Sequence, residues 1–354
     1  MAIDISRLSL FNKIDIIIHT GEGDSGINHI KYWIPELMKT KREFAVLVRN
    51  EKVWKSLIKE FPRLTVLFAT SPLDVEAVVT KIPTLKMVLY TSNTGNNIHL
   101  LRFNEYKHIF LGTENSDRDS KVTKFMRAYD EIWLSSDAVI DKITKEIECG
   151  HLALVKIGKP QLKDIIANKL KRDEKKILVV PSYEGKNESE NFSLLGVLPS
   201  LIYDVGSLDF GFDFVLDKKI GTRNKKLQRL QDDIKEATES QNIFSSFHSV
   251  VEDYLVVKNK YIICDIKTYS NKLLASNNII FLYIPEDKVI ETYTVNKYLD
   301  YSFVYPFSDI KELVQMISKI QNGYDEKEEI RNKAIDYWLG VEETLADTFY
   351  NLLV

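Results

Sequence analysis

Short runs of β-branched and aliphatic residues recur along the chain, each followed by a stretch whose apolar positions fall three and four apart. Ile14–His19 (IDIIIH) stops at Gly21 and predicts a buried strand. Ile27–Lys39 then sets Ile30, Trp33, Ile34 and Leu37 on one face of a helix. Phe44–Arg49, Leu64–Ala69, Lys86–Tyr90, His108–Gly112, Glu131–Ser135 and Leu154–Ile157 continue the strand series, with helical segments between them. The texture changes at Gly158-Lys159-Pro160, followed by a lysine-rich helix from Leu162 to about Arg172. Strands then resume at Lys176–Pro181, Phe212–Leu216, Tyr261–Asp265, Ile279–Ile284 and Phe303–Tyr305. The tail, Glu326–Leu353, reads as strongly helical, with Ile330, Ala334, Trp338, Val341 and Leu345 along one stripe.

Strands that alternate with helices imply βαβ units and parallel sheets. The expected fold class is therefore α/β, with two Rossmann-like domains hinged near residues 158–175. The expected boundaries are 1–160 for the first domain, 161–335 for the second, and 336–354 for a helix crossing back to the first. A chain of 354 residues exceeds one ordinary core, which agrees with two domains.

Composition narrows the function. Lysine plus arginine number 48 against 51 acidic residues, a net charge of −3, which argues against a bulk nucleic-acid binder. Two distant cysteines, Cys149 and Cys264, give no disulfide framework and fit a reducing compartment. Met1–Lys13 lacks an apolar core and cleavage site, and no run of about 18 apolar residues exists. The expected location is the cytoplasm, with peripheral attachment to the inner face of a membrane left open, as is the oligomeric state. Scattered histidines and no C-x-x-C predict no metal site.

In open parallel sheets, ligands sit beyond the carboxyl ends of strands, so each strand-to-helix turn is a candidate. His19 to Gly26 contains a G-x-G-x-x-G between a strand and a helix. It suits an NAD-type cofactor only if an acid follows the second strand, where Arg49 and Asn50 stand before Glu51. The alternative is a tight turn for close packing, with His19 a hydrogen-bonded histidine. Gly112–Ser120 is dense in small and acidic side chains, which serve either as a site or as a helix cap. Asp265–Ser270 offers Lys267, Thr268 and Ser270 at a helix start, fit for a diphosphate or simply solvated. Gly221–Lys226 is a basic turn that faces the same anion or is a solvated charge run.

Five segments in order resemble the CDP-glycerol glycerophosphotransferases of teichoic-acid and capsule synthesis. Lys107–Gly112 through Asn115–Arg118 is similar to the family's K-H-V-F-x-G-H-G-D-S-D-K, and Ala128–Trp133 with Ala138–Asp141 to its A-Y-D-x-I-x…A-I-D. Ile157–Leu162 resembles V-G-R-P-Q-L, Ile177–Gly185 resembles I-L-Y-A-P-T-W-E-G, and Ile262–Asp265 with Leu274–Ser276 resembles L-I-T-D-x-S-S…L-A-S. The resemblance implies a GT-B fold and a transferase moving a polyol phosphate from a CDP-activated donor to a glycan or polyol-phosphate acceptor. No tightly bound cofactor is implied.

The departures are specific. Thr113 stands where the first motif has its histidine, and Asp217 where K-P-H-P-L-T-G-x-R has another; Gly221, Thr222, Arg223 and Asp265 are kept. The implied catalytic base is then Glu114 or Asp117, with His19 a further candidate. Arg223, Thr222, Lys267, Thr268, Ser270 and Asp265 would hold phosphates, and Tyr183 and Glu184 would line the nucleotide pocket. Two other readings stay open: a non-catalytic binding or scaffolding subunit, and an NAD(P)-dependent oxidoreductase.

Overall fold

The computed structural model describes residues 11–24, 26–112, 122–163, 165, 172–287, 302–340 and 345–353. The chain divides into two compact units. Within the described residues, the first runs to Gln161 and takes back the C-terminal stretch from Gly340, and the second is Leu162–Leu339.

The first unit is built on strands β1 (Ile16–Thr20), β2 (Phe44–Val48), β3 (Thr65–Phe68), β4 (Met87–Tyr90), β5 (Lys107–Leu111), β6 (Glu131–Leu134) and β7 (Ala153–Lys156). They form one parallel sheet in the order β3-β2-β1-β4-β5-β6-β7. Such strands are buried on both faces, so their sequences run apolar without alternating. Ile16 and Ile18 join Trp33, Ile34 and Leu37 of helix Gly26–Met38 on one face, whereas Ile17 joins Val75, Val79 and Tyr90 on the other.

The second unit holds β8 (Asp173–Val180), β9 (Gly211–Val215), β10 (Ser245–His248), β11 (Asn259–Asp265), β12 (Ile279–Tyr283) and β13 (Tyr305–Phe307). Their order is β10-β9-β8-β11-β12-β13, again with every pair parallel. Phe212, Phe214, Phe281 and Ile263 pack beneath helices Leu198–Gly206 and Ile310–Gln321. Both parallel sheets follow from the strand–helix alternation.

Three details differ from the sequence expectation. Strand β10 was not anticipated, because Ser245-Ser246-Phe247-His248 carries one large apolar residue; it is the sheet's edge, where little burial is demanded. The last strand lies at Tyr305–Phe307, two residues beyond the Phe303–Tyr305 run. The single C-terminal stripe is two helices, Glu328–Leu339 and Leu345–Leu352, parted after Leu339 by Gly340 in a left-handed conformation (φ 62°). Trp338 is buried within the second unit, and the aromatic returned to the first unit is Phe349, against Trp33 and Trp133.

Candidate functional site

Both sheets reverse strand order once. In the first unit the reversal lies between β1 and β4, in the second between β8 and β11. The strand carboxyl ends flanking such a reversal open a crevice where α/β proteins bind ligands.

In the first unit the crevice is bounded by residues 20–24, Gly26 and residues 91–97. A side chain at Gly21 would meet Thr94 Oγ1 at 2.3 Å and Asn97 Oδ1 at 2.6 Å, and one at Gly26 would meet Thr20 Oγ1 at 2.6 Å. Asn96 donates to Gly21 O at 2.9 Å, and the hydroxyls of Thr20 and Ser92 are 3.0 Å apart. Two of the three glycines in G-x-G-x-x-G are thus accounted for by close packing. At the end of β2, Asn50 accepts the Lys52 and Val53 amides as a helix cap, while Glu51 pairs with Lys55. Arg49 donates to His99 Nδ1 at 2.8 Å and Thr70 O at 2.6 Å.

His19 sits within β1, fully covered. Its Nδ1 donates to Leu47 O at 2.9 Å, which makes Nε2 the lone-pair nitrogen, and its ring meets Tyr90 edge-on. Burial, joined by the charges of Arg49 and His99 and opposed by the Leu47 bond, lowers its pKa to about 4. The imidazole is therefore neutral at neutral pH. Glu114 and Asp117, the other two candidate bases, lie outside the described residues, as does Thr113.

The second unit's crevice is knit by two buried carboxylates. Glu184, just after β8, accepts the backbone N–H of Gly221 (3.2 Å), Arg223 (2.9 Å) and Asn224 (2.9 Å). Gly221 has φ 81°, and a side chain there would lie 2.8–3.0 Å from Gln228, so only glycine closes this loop without strain. Burial pushes the Glu184 carboxyl up, but the N–H bonds outweigh it and hold the group below the ordinary glutamate value. Asp265, at the end of β11, accepts Ser182 N (2.7 Å), Lys267 N (3.1 Å), Thr268 N (3.2 Å) and Leu194 N (3.4 Å). Complete burial raises its pKa against the pull of those bonds.

Of the residues expected to hold phosphates, Arg223, Thr222, Lys267, Thr268 and Asp265 each have a protein partner. The N–H groups of Gly221, Arg223 and Asn224 face Glu184, while the Arg223 guanidinium pairs with Glu188 at 2.7 Å. Thr222 donates to Lys219 O, Thr268 to Val180 O, and Lys267 to Glu190 O. Lys219 stands over the Tyr183 ring at 5.4 Å. Ser270 precedes the short helix Asn271–Leu274 without a side-chain cap bond. Asp217, at the histidine position of the resembled motif, accepts Lys219 N at 2.8 Å.

No protein-family model and no curated protein matches the sequence. Solved structures do match the fold. UDP-GlcNAc 2-epimerase from Methanocaldococcus jannaschii aligns with a TM-score of 0.57 at 12% identity, over 86% of this chain and 92% of that one. The wall teichoic acid polymerase TagF aligns with a TM-score of 0.54 at 12% identity, over 97% and 89%. A glycosyltransferase from Rickettsia africae aligns with a TM-score of 0.52 at 13% identity, over 96% and 97%. The fold is GT-B-like. At such identities the likeness concerns the fold alone.

Two features of the GT-B-like chain escaped the sequence reading. One is the role of Glu184 as the acid filling a backbone nest. The other is a polar chain on the second sheet, from buried Asp213 through Ser246 (2.6 Å) to His248 (3.0 Å) and Tyr254 (3.2 Å). The alternation of Asp213 between Phe212 and Phe214 was its one legible signal. Among the described residues no cluster of His, Cys, Asp or Glu is arranged for a metal ion, and no helix is long and apolar enough to cross a membrane.

Proposed function

We propose that the chain is a transferase that binds a nucleotide-activated donor at the β8/β11 crevice of its second unit. A CDP-linked polyol is the first choice of donor, and a hydroxyl of a glycan or polyol phosphate is the acceptor. The setting is the synthesis of a cell-surface polymer such as teichoic acid. The observation that carries this reading is the tie made by Glu184 and Asp265. They fasten the turns after β8, β9 and β11 into one rim, which carries Lys218, Lys219, Arg223 and Lys267. A diphosphate needs such cations, and Arg223, already oriented by Glu188, exchanges one anion for another when phosphate arrives.

The acceptor hydroxyl needs a base within hydrogen-bond reach. Buried His19 is poorly suited to that task, which leaves Glu114 and Asp117. One observation favours a non-catalytic binder instead: Asp217 is engaged with its own turn. Nucleotide release separates the two readings. Wild type is expected to release CMP from a CDP-polyol when acceptor is present, with Glu114→Gln or Asp117→Asn slowing release about a hundredfold or more at unchanged donor binding. If wild type binds a donor and releases nothing, the binder reading stands. If CDP, UDP and GDP ligands all fail to raise the melting temperature while NAD raises it, both give way to a dinucleotide enzyme. A ligand at 100 times its dissociation constant adds about 2.7 kcal/mol, enough to detect.

A further inference from the structure

The segment Ile157–Gln161 plays no part in the donor site, yet Ile157, Gly158, Lys159 and Gln161 line a small, partly open cavity in the first unit. The cavity lies at the carboxyl ends of β5, β6 and β7, bounded by Trp33, Gly112, Ser135, Ile157, Lys159 and Gln161. Its volume is about 10 Å³, room for one oxygen atom.

Several polar groups around it lack a partner. Trp33 Nε1 and the hydroxyls of Ser135 and Ser136 are buried without a hydrogen-bond partner. Lys159 is 8% exposed, and among the described residues no carboxylate pairs with it. Ser136 occupies the cap position of helix Asp137–Glu146 but makes no cap bond, so its hydroxyl is not spent on the first turn. Gly340 packs against this corner: a side chain there would come within 2.5 Å of Ser135 O. Indole N–H and ammonium groups can only donate, and a buried ammonium calls for a counter-charge. The helix N-terminus adds positive potential of the same sign.

The geometry points to an oxyanion-binding site in the first unit, in which a phosphate-class ligand inserts one oxygen between Trp33 Nε1, Ser135 Oγ and Lys159. It is separate from the donor crevice and does not depend on the nucleotide assignment. The ligand is free phosphate or the phosphoryl group of a phosphomonoester, two sources with the same recognition chemistry.

The four tryptophan indole N–H signals of the 15N-labelled protein provide a local reporter. Trp33→Phe identifies the Trp33 signal. Titrating wild type with inorganic phosphate is expected to shift that signal saturably, while chloride at matched ionic strength leaves it in place. Glycerol phosphate binding more tightly than inorganic phosphate identifies a phosphomonoester ligand, and the reverse identifies the free ion. Lys159→Met is expected to raise the dissociation constant about tenfold or more, and Arg223→Ala to leave it unchanged. The proposal is overturned if wild type shows no saturable shift, if chloride reproduces it, or if Lys159→Met retains full affinity. Should that variant not fold, Ser135→Ala must weaken binding, and a wild-type titration without response is decisive alone.

Discussion

His19 and Glu184 show how one side chain's surroundings set its chemistry. His19 has a folded-state pKa of about 4 against 6.5 in the unfolded chain. The unfolded chain takes the proton first as pH falls, so this contribution is complete above pH 6.5 and is lost on the way to pH 4. The gap corresponds to roughly 3 kcal/mol. The His19 imidazole signal, assigned with His19→Gln, should show no NMR titration midpoint above about pH 5, and a midpoint near 6.5 would refute the burial account. Glu184 has the same pH dependence for a different reason: backbone N–H bonds favour its charged form, whereas burial favours the neutral form of His19. The lowered pKa of Glu184 stabilises the fold above the ordinary glutamate value and ceases to do so as pH falls through the folded one. Glu184→Gln turns one acceptor into a donor against N–H groups, and it should cost about 1–3 kcal/mol in denaturant unfolding. An unchanged midpoint would mean that the loop does not depend on the carboxylate.

Among elements, the turn after β9 is the most constrained. Gly221 combines a left-handed backbone with contacts to Gln228 too short for any side chain. Gly221→Ala should therefore cost about 1–3 kcal/mol and weaken the response to nucleotides, because the same loop carries Arg223. Stability and nucleotide affinity should fall together, and loss of stability alone would detach the loop from the donor site. Helix Leu345–Leu352 is the second such element. Phe349 is fully buried beside Trp33 and Trp133. Phe349→Ala should destabilise the first unit by about 3–5 kcal/mol, read as earlier loss of Trp33 indole N–H protection in hydrogen exchange.

For the whole molecule, two parallel sheets with the same reversal of strand order arise from one repeated rule of alternating strand and helix. That rule was legible because doubly covered strands must be apolar throughout, and nearly every run became a strand. It failed at β10, where an edge position removes the demand for burial. It also failed at Gly340, where a glycine inside a plausible helical stripe parts two helices belonging to different units. Two polar turns of the second unit, Gly221–Lys226 and Asp265–Ser270, were likewise legible as candidates, because strand ends in parallel sheets are where polar residues cluster. Their internal pairing was not.

The sequence by itself determined the fold class, the two sheets and the turns that carry polar side chains, because hydrophobic periodicity is a local property of the chain. Tertiary structure alone decided what those side chains do. Glu184 meets a loop 37–40 residues away, and Asp265 meets Ser182 across 83. Lys159 comes to share a cavity with Trp33 and Ser135 only because β1, β5, β6 and β7 lie in one sheet. A carboxylate that fills its own nest and an ammonium that awaits an anion look alike in sequence, since both are charged residues following a strand. The difference lies in which partners the sheet order brings within hydrogen-bond distance, and no local pattern encodes it.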